Sequence, residues 1–481
     1  MVFSSVFFLF LFLPVALAVY YVVPTIRGKN AWLLLASLFF YSWGELRYLP
    51  LLLTSIGMNY VFGLLVGRAA KAGIGRKAWV VAAVTANLGY LVYFKYWVFL
   101  LTNAAAVLGT LGRKITVPRI ALPLGISFFT FHALSYILDV ARGHVQPQKS
   151  PFRLALYISL FPQLVAGPII RYGHVADELA VRKHTLDDFA YGIYRFSVGL
   201  AKKVLIANVV GVVADGCFKL PPTALTSVHA TLGVVCYTLQ IYFDFSGYSD
   251  MAIGLGRMFG FHFRENFDLP YVATSITDFW KRWHISLTSW FRDYLYVPLT
   301  GNQFWVPPWR SYSAIFVVFV LCGFWHGASW TFVAWGALHG TMLVAERAAL
   351  LRWLVRLPRV VQNLYAMLFV MAGWILFRSD SFSGAAAYVR AIFHLRDWAQ
   401  VSWASLAGVI NPEGWFALVV GVVGAMRLQA RWLPGRLLYR SPEGTSWAAS
   451  PAGVLVVLSL LVVSFMKLAS SSFNPFIYYR F

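Results

Sequence analysis

Two histidines carry the chemistry this sequence can be read for. His326 lies within Leu321-Cys322-Gly323-Phe324-Trp325-His326-Gly327-Ala328-Ser329-Trp330, in the longest charge-free part of the chain: residues 311–345 contain no Asp, Glu, Lys or Arg. An ionisable group at membrane depth is expensive and is a functional candidate by default, and imidazole is the side chain that changes charge near neutral pH. At 1.5 Å per helical residue, a span starting near Ala314 puts His326 about 18 Å along its axis, inside a hydrocarbon layer of roughly 30 Å. The run also carries Gly323, Gly327, Gly336 and Gly340, which predicts a bent or interrupted helix lining a cavity. The competing reading, a structural histidine bonded to a neighbouring helix, applies with more force to His339.

The second histidine, His284, sits in residues 280–296. At about 100° per residue, Trp280, Trp283, Leu287, Trp290, Phe291 and Tyr294 share one side of a helix, and Lys281, Arg282, Ser286, Ser289, Arg292 and Asp293 share the other. This predicts one interfacial amphipathic helix with His284 at the margin. Its basic face suits the phosphates of a nucleotide-bearing donor; a surface helix with an incidental histidine is the alternative. Upstream, residues 242–254 place Asp244, Ser246 and Asp250 at the end of a span, where solvation explains the carboxylates as well as chemistry does. His184 and Asp188 match HxxxD by spacing alone, in a polar loop. No GxSxG, Walker or HExxH pattern occurs, and Cys217, Cys236 and Cys322 have no metal or disulfide spacing, so neither a metal nor a bound cofactor is expected.

The elements that must position these groups belong to a membrane. With 59% hydrophobic and 12% charged residues and a mean hydropathy of +0.67, the chain departs from soluble domains, whose charged fraction is about 25%. The net charge of +22 points to anionic lipid and basic cytoplasmic loops rather than nucleic acid, because Lys and Arg fall in short segments between apolar runs. The basic clusters at residues 68–77 and 427–440 are placed in the cytoplasm, which leaves the aromatic tail Phe473 to Phe481 outside. The first apolar run, residues 3–23, lacks a preceding Lys or Arg and reads as an uncleaved span rather than a signal peptide. Further runs at residues 31–43, 46–66, 79–101, 124–138, 152–170, 192–217, 228–245, 313–345, 360–377, 415–426 and 454–466 bring the expectation to roughly 11 crossings. Lys95, inside one of them, must snorkel or pair internally.

Trp280 to Ser286, Phe324 to Gly327 and Tyr242 to Ala252 together resemble the membrane-bound O-acyltransferase (MBOAT) family. Met1 to Ser5, Leu122 to Phe128 and Gly167-Pro168 look like its bacterial alginate O-acetylation branch; Cys322-Gly323-Phe324 departs from the Gly-Gly-Leu frequent there. The resemblance implies an all-α polytopic MBOAT fold around a central tunnel: N-terminal helices in residues 1–110, a catalytic core in 120–345 and C-terminal helices in 346–481, as a single membrane-embedded domain. It implies His326 as the catalytic histidine and His284 as the second one, with Trp280, Lys281, Arg282, Trp283, Arg292, Asp244, Ser246 and Trp325 as donor-binding or tunnel candidates. The implied reaction moves an acetyl group from a cytosolic thioester, acetyl-CoA, to a hydroxyl. The implied setting is the bacterial inner membrane, with a periplasmic acetyltransferase partner and polysaccharide-building machinery. Cell-wall O-acylation by the same chemistry is the alternative within the class. A transporter or flippase is the rival class; it predicts charges along several spans and paired interrupted segments, and the runs at residues 3–23 and 454–466 carry no charge.

Overall fold

The computed structural model describes residues 1–114, 116–301, 303, 306–394, 403–426 and 450–470. Every regular element among them is helical. Long apolar runs satisfy their own backbone groups only as helices, the form a bilayer tolerates. The principal helices are α1 (Leu13–Val22), α2 (Ile26–Glu45), α3 (Leu49–Ala72), α4 (Arg76–Leu91), α5 (Trp97–Gly109), α6 (Ile126–Arg142), α7 (Leu186–Ala201), α8 (Asn208–Phe218) and α9 (Ser227–Met258). They continue as α10 (Ile276–Arg282), α11 (Ile285–Phe291), α12 (Pro308–His326), α13 (Trp330–Ala345), α14 (Arg359–Arg378), α15 (Pro412–Ala425) and α16 (Pro451–Ser470).

Six stretches among the described residues are long and apolar enough to cross a membrane: Ile26–Ala72, Arg76–Gly109, Leu186–Phe218, Pro308–His326, Arg359–Arg378 and Pro451–Ser470. Ile26–Ala72, at 47 residues, holds both α2 and α3, and Phe8–Val22 and Pro412–Ala425 are shorter apolar helices, so these stretches do not by themselves count the crossings. Helix α6 is buried along nearly all its length. Residues 151–164 break at Leu160 into the short helices Pro151–Ser159 and Phe161–Leu164, with Pro162 in the first turn of the second, where its missing N–H costs nothing. The basic segment 427–440 and the tail Phe473 to Phe481 lie outside the described residues.

The chain divides into two compact units, of which the first comprises Met1–Gly192 and Ala252–Arg264. There Asn59 and Asn87 exchange reciprocal amide hydrogen bonds of 2.8 and 3.0 Å between α3 and α4. Lys95 resolves its alternative by pairing internally, donating to Ser127 Oγ at 3.3 Å. Gly125 enters α6 with φ 74°, and a side-chain carbon there would meet the Leu164 carbonyl at 2.7 Å, so this position accepts only glycine. The HxxxD spacing is structural: His184 meets the Tyr20 hydroxyl at 2.8 Å while Asp188 pairs with Arg257 at 2.7 Å.

The second unit, Ile193–Met251 and Glu265 onward, holds both candidate histidines. Where α7 and α9 meet within it, added carbons on Gly199 and Gly247 would lie 2.5 and 2.7 Å from each other's carbonyl oxygen, so the two backbones are in direct contact. Ion pairs cluster beside that contact: Lys203 with Asp244 at 2.8 Å, and Asp250 with Arg195 at 2.6 Å and Lys202 at 2.7 Å. The two carboxylates expected at a solvated span end are thus buried cross-links.

Candidate active site

The uncharged run folds as a hairpin: α12 ends at His326, residues 327–329 turn, and α13 begins at Trp330. Glycines let the two arms touch, since a carbon on Gly323 would meet the Phe332 carbonyl at 2.2 Å and one on Gly336 the Phe319 carbonyl at 2.3 Å. Because α12 starts at Pro308, His326 lies about 27 Å from the helix start rather than the 18 Å expected. Its ring, 6% exposed, is held edge-on by Trp325, Trp335 and Phe377 with centroids at 4.8, 5.2 and 5.2 Å.

The single amphipathic helix expected over residues 280–296 is not formed. Helix α10 stops at Arg282, and α11 starts at Ile285, because Trp283 is extended and His284 is left-handed, with φ 44° and ψ 54°. That conformation strains a residue with a Cβ by about 1–2 kcal/mol. Backbone bonds to residues 266–268 hold it, Ile285 N–H donating to the Asn266 carbonyl at 2.9 Å and Asp268 N–H to the Arg282 carbonyl at 3.0 Å. The break turns the ring inward, so His284 is fully buried rather than marginal. Burial pulls its pKa down to about 3, which keeps the imidazole neutral at physiological pH.

Around it, His284 Nδ1 lies 3.1 Å from Asn266 Oδ1, which also accepts from Ser286 N–H at 3.1 Å and Ser286 Oγ–H at 2.8 Å. Asn266 Nδ2 donates to Ser249 Oγ at 3.1 Å. His284 Nε2 is buried without a hydrogen-bond partner. At the other end of α10, the buried carboxylate of Glu346 accepts from Ile276 N–H at 2.6 Å and Thr277 N–H at 2.8 Å, covering donors that a helix start leaves unpaired.

One aromatic core joins the two histidines. Trp335 against His326 packs on Trp374 at 6.2 Å, Trp374 packs on Trp283 at 5.0 Å, and Trp283 immediately precedes His284. Trp280 donates to His339 Nδ1 at 3.3 Å, so His339 is a structural histidine that holds Trp280 in place.

Beside this core lies a cavity of about 370 Å³. Trp280, Leu287, Phe319 and Cys322 form its apolar wall, and Lys281, Arg292 and Arg347 supply its cationic groups. Cys322 stands one helical turn before His326 on α12, so the wall includes the face of α12 that carries His326. All three cationic residues are exposed, and Arg292 shares its charge with Asp293 at 2.6 Å. Of the remaining donor candidates, Arg282 is tied to Asp278 at 2.9 Å and Asp268 at 3.3 Å, Asp244 to Lys203, and Trp283, Trp325 and Ser246 are buried away from the cavity lining. Sequence reasoning missed three residues. Arg347 and Glu346 end the charge-free run and could have been found there, whereas Asn266 sits in the polar stretch 264–268 with nothing to mark it.

Among the described residues, a helical core thus buries His326 at the end of a glycine-packed hairpin arm and His284 at a left-handed break between two helices. The chain belongs to the MBOAT, membrane-bound O-acyltransferase, family, whose model matches residues 82–377. It is 40% identical over the full length of both chains to "Probable alginate O-acetylase AlgI" of Azotobacter vinelandii. A peptidoglycan O-acetyltransferase of Helicobacter pylori is 35% identical over 82% of this chain and 80% of its own. A teichoic acid D-alanyltransferase of Bacillus subtilis is 32% identical over 46% of this chain and 58% of its own. The protein is a multi-pass membrane acyltransferase.

Proposed function

We propose that this enzyme takes an acetyl group from acetyl-CoA on the cytoplasmic side of the bacterial inner membrane and passes it to a hydroxyl destined for exopolysaccharide O-acetylation, of the alginate kind. The observation that carries the donor side is the cavity: an apolar space of about 370 Å³ with Lys281, Arg292 and Arg347 as cations for phosphate. Relatives named for alginate O-acetylation match over the full chain, which favours an exopolysaccharide over a cell-wall polymer. The receiving hydroxyl belongs to the polymer or to a periplasmic acetyltransferase that relays the group.

In the chemical step the hydroxyl oxygen attacks the thioester carbonyl carbon while neutral His326 takes the hydroxyl proton. The C–O bond forms, the C–S bond breaks, and His326 returns the proton to the departing thiolate. His284 orients a substrate group beside it. No Ser or Cys nucleophile is needed, and Cys322 serves as cavity wall.

Purified enzyme with two thioesters tests the donor assignment. Lys281→Glu and Arg347→Glu should each raise KM for acetyl-CoA about tenfold, equivalent to about 1.4 kcal/mol, and leave KM for S-acetyl-N-acetylcysteamine, which has no phosphate, unchanged. Equal effects on both donors would remove phosphate recognition from this cavity.

A further inference from the structure

We infer that Asn266 is a positioning residue that locks His284 in the Nδ1–H tautomer, so that His284 meets substrate through the lone pair of Nε2 and selects a group that donates a hydrogen bond. The inference rests on the acyl-transfer reading above for its substrate, but its structural half stands without it.

Ser286 N–H points at one atom of the Asn266 amide, 3.1 Å away. A backbone N–H can only donate, so that atom is the carbonyl oxygen, and the amide cannot be reversed. The amide nitrogen then faces Ser249 Oγ, which can accept. His284 Nδ1 lies 3.1 Å from the same carbonyl oxygen, in a site where Asn266 and His284 are both fully buried. Two lone pairs facing each other there, with no water to intervene, would repel and leave both groups unsatisfied, so Nδ1 carries the proton. Ser286 does not alter this: its hydroxyl is 2.8 Å from the Asn266 oxygen and 3.4 Å from Nδ1, and its single proton goes to the nearer oxygen.

With its proton on Nδ1, neutral His284 has an unprotonated Nε2, the atom that is buried and without a partner. A bare acceptor of this kind is matched by an O–H or an amide N–H. The group that docks at His284 is therefore a hydroxyl of the acceptor or an amide of the pantetheine arm. The thioester carbonyl is excluded, since it offers only lone pairs, and His284 does not act as an oxyanion donor. The strained backbone at His284 fits this role, because φ 44° lets residue 284 present its ring to Asn266 while residue 285 binds the Asn266 carbonyl.

The test is nitrogen NMR of the full-length protein in detergent, labelled with 15N-histidine, with the His284 signals assigned by their absence in His284→Asn. The wild type should show a protonated Nδ1 and an unprotonated Nε2. Asn266→Leu should lose that preference and lower kcat/KM for acetyl transfer at least tenfold. Asn266→Asp guards against a folding failure: its carboxylate can accept the same three hydrogen bonds, so the tautomer and most activity should persist. The new negative charge beside Nδ1–H should raise the pKa of His284 and move the acid limb of the pH profile to higher pH than in the wild type. A protonated Nε2 in the wild type, or a tautomer unmoved in Asn266→Leu, would overturn the inference. Because the NMR signal does not depend on turnover, an inactive preparation with the expected tautomer would count against the acyl-transfer reading alone.

Discussion

At the scale of single residues, the two histidines differ in what their surroundings permit. His326 is packed among rings at the end of a helix, whereas His284 is strapped to Asn266 in a left-handed conformation. Asparagine is informative at both positions. It keeps a hydrogen-bonding head but cannot accept a proton at neutral pH, and it tolerates the left-handed region better than most residues. His326→Asn should therefore cost about 10² to 10⁴ in the single-turnover rate of acetyl transfer, the range of general-base catalysis. His284→Asn should keep its backbone and lose less. Substantial transfer in His326→Asn with none in His284→Asn would exchange the two roles. Both histidines were legible in the sequence because each stands out from its neighbours, His326 by the absence of charge around it. Asn266 was not, because one amide among the charges of residues 264–268 carries no periodic or compositional signal.

At the scale of elements, one residue re-phased the reading of residues 280–296. The helical wheel assumes constant rotation, and the left-handed step at His284 breaks it; of the two partners open to the aromatic face, lipid or core, the core takes it, since Trp280, Trp283, Trp290 and Tyr294 are all buried. Glycines at Gly323 and Gly336 were visible, and so was an interruption, but the closeness of the two arms is a tertiary fact that sequence spacing does not encode. The placement of α10 depends on a contact equally hidden, the Glu346 carboxylate at its first N–H groups. Glu346→Leu removes both acceptors, and also strips the Tyr365 hydroxyl of its 3.0 Å acceptor. Leaving buried backbone donors unpaired costs about 1–3 kcal/mol each, so the thermal unfolding midpoint in detergent should fall by several degrees. Glu346→Gln retains one carbonyl oxygen and should recover part of the loss. An unchanged midpoint in Glu346→Leu would mean that α10 is held by aromatic packing alone.

At the scale of the whole molecule, the composition made a polytopic membrane protein legible at once, whereas apolarity alone does not separate a crossing from a buried helix such as α6. A membrane acyltransferase that draws acetyl-CoA from one side must open its donor cavity there, and the positive-inside rule makes the side carrying basic loops the cytoplasm. Lys281 supplies a sensor at the cavity because it is exposed, and the native Cys217, Cys236 and Cys322 are free and buried. Lys281→Cys in bacterial membranes should react with a membrane-impermeant maleimide in inverted vesicles but not in intact spheroplasts. Excess CoA should slow that reaction, whereas dephospho-CoA, which lacks one phosphate, should slow it less. Labelling from the periplasmic side would place the cavity on the acceptor face and reverse the direction in which the acetyl group moves. Cytoplasmic labelling that CoA does not slow would leave the topology standing and move the donor to another part of the second unit.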